Sequence, residues 1–214
     1  MHIHCVRRPQ LGITVVEILC ASAILMIVMA VLVARLNIAA EVARVQCVTN
    51  LKETALAFRL FAANNDHQFP MQVPARLGGG REASARAELA GVLQALSQEG
   101  LSPQHLVCPA DKRLAADTLV SLTRTNVSYF VGLDARHDRP SSVLLGDRDL
   151  GRMGSTRSNN ECLTGLQFVE SPDQAIQWTG QLHRDSGNLA YADGSVRRAT
   201  PVELKASGRL LFPE

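Results

Sequence analysis

Two groups of side chains in this sequence are of types that could do chemistry. The first is polar: Asp147, Asp149, His183, Asp185, Asn188 and Asp193, all in turn-rich sequence. Several carboxylate and carbonyl oxygens carried on loops suit a hard cation, so these residues form a candidate calcium site. No EF-hand spacing accompanies them. Asp193-Gly194 reads equally as an Asx-type turn, with His183 tying its loop to a backbone carbonyl. The second group is the five cysteines, Cys5, Cys20, Cys47, Cys108 and Cys162. None makes a C-x-x-C pair, and no His stands at zinc-finger spacing from any of them. In an oxidising compartment Cys47, Cys108 and Cys162 allow one disulfide and one leftover thiol, with the pairing open.

Catalysis would need a nucleophile with a base, or an acid–base pair. The chain has no G-x-S-x-G, H-E-x-x-H or P-loop. A Ser186/His183/Asp193 triad can be drawn, but three polar residues in one turn-rich stretch arise readily by chance. The expectation is a protein that is not an enzyme and carries no cofactor, with calcium the one ion to consider. Lys and Arg number 22 against 20 Asp and Glu, so no broad basic surface is expected to meet nucleic acid. Trp178, Tyr191 and Phe130 would suit a ligand-binding sheet face, although strand aromatics are usually core.

The elements that must hold these residues begin with an apolar stretch. Ile13–Ala34 reads ITVVEILCASAILMIVMAVLVA, with Glu17 its one charge. As a helix rising about 1.5 Å per residue it would span roughly 33 Å, enough for a bilayer core of about 30 Å. Arg7 and Arg8 precede it with no comparable cluster beyond, which predicts a cytoplasmic N-terminus and an exported C-terminus. A secretory signal would have a shorter core and a small-x-small site. A plain anchor accounts for everything except Glu17, because a carboxylate in hydrocarbon needs a partner or a function. Cleavage after Gly12 would free an amine at Ile13. That amine, on a neighbouring subunit, could neutralise Glu17 at one axial offset and so set the register of assembly.

The segment R-R-P-Q-L-G-I-T-V-V-E-I-L (7–19) resembles the leader of type IV prepilins and type II secretion pseudopilins. It has a basic leader, Gly before the cut, an apolar first residue, Thr, two apolar residues and Glu fifth. Ile13 stands where Phe or Met is commoner, and Pro9 is unusual so near the cut. The resemblance implies a leader 1–12 removed by a prepilin peptidase after Gly12 and N-methylation of Ile13. Thr14 and Glu17 would take part in assembly with like subunits and the inner-membrane machinery. The segment C-V-T-N-L-K-E-T-A-L-A-F-R-L-F-A-A-N-N-D-H-Q-F-P (47–70) is similar to the stem of the major-pseudopilin-like group. H-R-D-S-G-N-L-A-Y-A-D-G-S-V resembles the H-x9-D-G segment, with His183, Asn188, Asp193 and Gly194, that closes many such proteins. N-V-S-Y-F-V-G-L-D-A (126–135) and L-L-G-D-R-D (144–149) look similar too. The implied protein is a structural subunit of a pilus-like or pseudopilus-like fibre, anchored in inner-membrane lipid with a periplasmic domain. A single-span, membrane-anchored binding module is the alternative, with a membrane-anchored hydrolase behind it.

Past Arg35 the periodicity continues. Val42, Val45, Leu51, Ala55, Phe58 and Ala62 form one apolar face, with Glu41, Arg44, Lys52, Glu53 and Arg59 between them. One helix is expected through Asn65, its membrane/assembly half at 13–36 and its periplasmic half at 37–66. The globular part is 67–214. Residues 71–85 read as a loop, Ala87–Glu99 as a helix capped by Gly100, and Asp147–Leu166 as irregular. Strands are expected at Asn126–Leu133, Ser142–Gly146, Ala175–Thr179, Asn188–Tyr191 and Ser195–Ala199, the last pair hinged at Ala192-Asp193-Gly194. Thr200–Gly208 reads as a short closing helix. The predicted fold class is α+β, pilin-like: a long N-terminal helix packed on a small antiparallel sheet.

Overall fold

The computed structural model of the protein describes residues 14–152, 162–169, 176–183, 186–200 and 208–213. Gly12, Ile13, Cys5, Asp185 and the closing helix expected at Thr200–Gly208, save for its two end residues, lie outside them. The chain divides into two compact units, Met1–Glu41 and Val42–Glu214. Helix α1 (Val15–Asn64) supplies the described part of the first and opens the second. In the first unit Val15–Val33 has a mean hydropathy of 2.7 and none of it is buried, so by length and composition it can cross a membrane. Thr14 is its N-cap: Thr14 Oγ1 accepts from Glu17 N at 3.3 Å, and Glu17 Oε2 accepts from Thr14 N and Oγ1, both at 2.8 Å. This Thr-x-x-Glu capping box satisfies two of the donors that a helix start leaves orphaned.

In the second unit α1 buries Cys47, Leu51, Ala55, Phe58 and Ala62. These recur at spacings of three and four, one helical face. Val42 and Val45, expected on that face, are instead about 60% exposed (61% and 60%). Running the phase back from Leu51 leads through Cys47 to Arg44, so the face ends in a thiol and a guanidinium rather than two valines. The helix closes with Asp66 and His67 at positive φ (50° and 58°) and with His67 N donating to Ala62 O at 2.9 Å.

The expected loop at 71–85 contains a 3-10 turn (Ala75–Leu77) and a short helix, α2 (Arg81–Ala85), whose Glu82 carboxylate accepts from Ala75 N at 2.7 Å. Gly79 permits this compactness, since a Cβ there would lie 2.1 Å from Val73 O. Helix α3 (Leu89–Gln94) is shorter than expected, yet Leu89, Val92, Leu93 and Leu96 are all buried.

Strands β1 (Tyr129–Gly132), β2 (Val143–Asp147), β3 (Leu150–Arg152), β4 (Gly165–Val169), β5 (Ile176–Trp178), β6 (Gly187–Tyr191), β7 (Val196–Ala199) and β8 (Gly208–Phe212) follow. An antiparallel six-stranded sheet has the order β4-β8-β1-β2-β6-β7, and β3 pairs with β5 as a ribbon. The fold is therefore α+β. Strands β3, β4 and β8 were not expected. The expected irregular stretch from Asp147 holds β3, and β4 begins before it ends.

Side-chain alternation along the strands divides the core in two. Tyr129, Val131, Ala190 and Leu211 pack with the α1 face. Phe130, Leu189, Leu210 and Phe212 point the other way, toward Leu150 and Trp178 of the ribbon. Gly187 lets Trp178 lie against β6: a Cβ there would sit 2.3 Å from the indole.

Candidate functional site

The face of α1 that begins at Arg44 and Cys47 meets the sheet at a set of buried ionisable groups. Cys47 comes from α1. Cys108 follows the 3-10 turn Pro103–Leu106, in a Cys-Pro-Ala-Asp turn closed by Asp111 N donating to Cys108 O at 2.8 Å. Asn50 of α1 fastens this loop by donating to Val107 O, also at 2.8 Å. Asp147 ends β2, and His183 lies in the loop entering β6. One ligand atom from each of Cys47, Cys108, Asp147 and His183 lies within 4.8 Å of every other. Cys47, Cys108 and Asp147 are fully buried, and His183 is 4% exposed. Among the described residues this is the one such cluster of His, Cys, Asp and Glu ligands.

The contacts inside it are close. Cys47 Sγ donates to Asp147 Oδ1 at 3.1 Å, Cys108 Sγ is 3.3 Å from His183 Nε2, and that nitrogen is 3.7 Å from Asp147 Oδ2. A second layer holds these groups in place. Asn188 donates to Asp147 Oδ2 from its backbone N at 2.7 Å and from Nδ2 at 3.0 Å, and Tyr129 OH lies 3.4 Å from Cys47 Sγ. Arg44 Nη2 donates to His183 O at 2.7 Å and Nη1 to Ser186 Oγ at 2.9 Å. Asp149 fixes the His183 loop by accepting from Gln181 N, Leu182 N and the Thr179 hydroxyl.

Burial pushes the Asp147 carboxyl up to about 6. The neighbouring Cys47 thiol, and then the bond to His183, bring Cys108 down to about 5 despite its burial. Cys47 goes the opposite way, raised by its neighbour Cys108 and by burial. Burial disfavours a charged His183, but the bond to Cys108 and the Asp147 charge outweigh it and its pKa is raised.

No protein-family model, curated protein or solved structure matches the chain. The site must be read from its own geometry. Of the residues expected to act together, Asp147, His183 and Asn188 meet here, and Asp149 lies one layer out. Asp193 and Gly194 are elsewhere, in the β6–β7 turn. There Asp193 Oδ1 accepts from Ser195 N at 2.8 Å and Gly194 has φ +84°. The H-x9-D-G segment thus spans β6, with its histidine in the cluster before the strand and its Asp-Gly in the turn after it. The Ser186/His183/Asp193 triad is not assembled: Ser186 Oγ meets Arg44, Arg198 and the His183 carbonyl.

The donors brought together are two sulfurs, an imidazole and one carboxylate, not the oxygen set that calcium takes. Three chemistries are open to them: metal ligation, a Cys47–Cys108 disulfide, or a thiolate–imidazolium pair. The last resembles an activated nucleophile, but the full burial of Cys108 denies a substrate access to its sulfur. The described cysteines are all free thiols, and Cys162 Sγ keeps to Arg148 and Thr179, each at 3.7 Å. The two thiols were visible in the sequence, but their partnership with Asp147 and His183 was not. The signal that could have found it is the helical phase that puts Cys47 on the buried face of α1.

Proposed function

We propose that the chain is a structural subunit of a type IV pilus-like or type II secretion pseudopilus-like fibre. In this reading a prepilin peptidase cuts between Gly12 and Ile13, Ile13 is N-methylated, and the helix that follows anchors the subunit in the inner membrane before assembly. The domain from Val42 onward is then periplasmic. The observation that carries the reading is the state of Val15–Val33, an apolar helical stretch with none of its residues buried in its own chain. Such a surface calls for lipid, or for the same helix of another copy. Glu17 supports the second cover. Both of its capping bonds go to Oε2, which leaves Oε1 to receive a neighbour's Ile13 amine without undoing the helix start.

Intact-mass measurement and N-terminal sequencing of membrane-extracted protein test the processing step. The expected mature chain begins at methylated Ile13. A Met1 terminus in cells that possess the peptidase would overturn the reading and leave a membrane-anchored module in its place.

A further inference from the structure

We propose that Cys47, Cys108, His183 and Asp147 form a structural zinc site that ties α1 to the sheet. Zinc binds thiolate at about 2.3 Å and imidazole nitrogen or carboxylate oxygen at about 2.0–2.2 Å, so neighbouring donors of a tetrahedral site lie about 3.3–3.8 Å apart. The contacts of 3.1 Å from Cys47 Sγ to Asp147 Oδ1 and 3.3 Å from Cys108 Sγ to His183 Nε2, with one ligand atom of each residue inside an envelope of 4.8 Å, need only small side-chain shifts to surround one ion. Four protein ligands with no exposed position make a closed site, the arrangement of structural rather than catalytic zinc. A filled-shell ion of intermediate softness accepts such a mixed sulfur, nitrogen and oxygen set, whereas calcium and magnesium require oxygen.

The surroundings do what a second layer does for a metal. Asn188 holds Asp147 Oδ2 with two hydrogen bonds and leaves Oδ1 facing Cys47 Sγ, and Tyr129 OH reaches that same sulfur. Two thiolates and a carboxylate around Zn2+ leave one net negative charge, and Arg44, bound to the His183 carbonyl, places its cation beside it. Binding releases two protons to solvent. These are the two thiol protons, or that of Cys47 together with one that His183 has taken from Cys108, and the imidazole ligates as the neutral base through Nε2. A Cys47–Cys108 disulfide would use two of the groups and leave His183 and Asp147 as a buried pair 3.7 Å apart. The zinc site uses all four.

The test is metal analysis of the full chain, extracted in detergent and purified anaerobically. One zinc per chain is expected. Replacing it with Co2+ should give the strong visible absorption of a tetrahedral site and a thiolate-to-cobalt charge-transfer band. His183→Ala and Cys47→Ser should lose the metal, Asn188→Ala should bind it about 10–100-fold more weakly, and Asp193→Asn and Cys162→Ser should keep it. The wild-type cobalt spectrum decides the matter even if a ligand variant fails to fold. Zinc-free protein without that spectrum would overturn the site, whether peptide mapping finds a Cys47–Cys108 disulfide or two free thiols.

Discussion

Glu17→Gln separates two roles that the helix start superimposes. The wild-type carboxylate accepts from Thr14 N and Oγ1, both at 2.8 Å, and Thr14 Oγ1 accepts in return from Glu17 N at 3.3 Å. Glutamine fits the same third position of a capping box, so its Oε1 can take over the acceptor role while the charge is removed. Alanine removes both, and losing such a cap costs about 1 kcal/mol. The charge carries the larger sum: a carboxylate at membrane depth costs about 2.5–3.5 kcal/mol by insertion scales, which pairing with a neighbour's amine would offset. If that pair sets assembly, Glu17→Gln loses about 3 kcal/mol of subunit–subunit free energy, roughly 100-fold in incorporation. Insertion, cleavage after Gly12 and folding of the second unit should stay intact, and Glu17→Ala should fall at least as far. If Glu17 only caps, glutamine should behave as wild type and alanine should lose about five-fold, the equivalent of 1 kcal/mol. The assay is co-expression of tagged variant and untagged wild type, with incorporation measured in sheared fibres or cross-linked oligomers. Equal incorporation of Glu17→Gln and wild type would refute the intermolecular pair and leave a capped membrane anchor.

Two further predictions concern the second unit. Asp111 has a side chain 2% exposed and takes Arg148 Nε and Nη2 at 2.7 and 2.9 Å, Ser128 Oγ at 2.8 Å and Arg113 Nε at 3.7 Å. Its burial would raise its pKa, but Arg148, then Ser128 and Arg113, bring it below the usual value. Its stabilising effect should therefore be complete above about pH 4 and disappear as pH falls through the lower folded-state value. Asp111→Ala should cost about 3 kcal/mol at neutral pH in chemical denaturation and flatten that acid limb; an unchanged limb would count against the ion-pair account. Asp149→Ala strands the Gln181 and Leu182 amides, which donate to it at 3.1 and 2.9 Å, so about 2–3 kcal/mol should be lost. Faster amide hydrogen exchange should appear first at residues 179–183, and protection unchanged there would show that the loop is held by something else.

The elements that could be read from the sequence are those with one dominant period. Helix α1 carries its pattern through Phe58 and Ala62 to a polar Asn64-Asn65-Asp66 stop, and β1, β2, β6 and β7 announce themselves by β-branched or aromatic runs and an Asp-Gly turn. The unexpected strands lack such signals. β3 is Leu-Gly-Arg, too short for any period, and β4 and β8 each begin with a glycine at positive φ (+66° and +124°), which reads as a breaker. What makes them strands is each other: Leu166 pairs with Leu211 and Gln167 with Leu210, across a long stretch of chain. Pairing of that kind is tertiary information that local spacing does not carry.

The candidate site shows the same limit in sharper form. Its oxygen-bearing residues were picked out by type and by closeness in sequence, which joined His183 to Asp193. Closeness in sequence misleads along a strand: about 3.3 Å per residue over β6 carries the chain away from the cluster before the Asp-Gly turn begins. Cys47 and Cys108 read from the sequence as disulfide candidates rather than metal ligands, since no histidine stands at finger spacing from them. Yet the buried phase of α1 fixes where Cys47 must point, and the antiparallel pairing of β2 with β6, Gly146 opposite Leu189, brings Asp147 beside Asn188. Helix and sheet therefore meet where each presents a buried polar group. Packing the apolar face of α1 in another register would strand the thiol, the carboxylate and the imidazole among hydrocarbon. That cost, a few kcal/mol for each unpaired buried group, ties the register of the helix on the sheet to the cluster. The same four side chains would then select both the docking of α1 and the ion that fills the space between them.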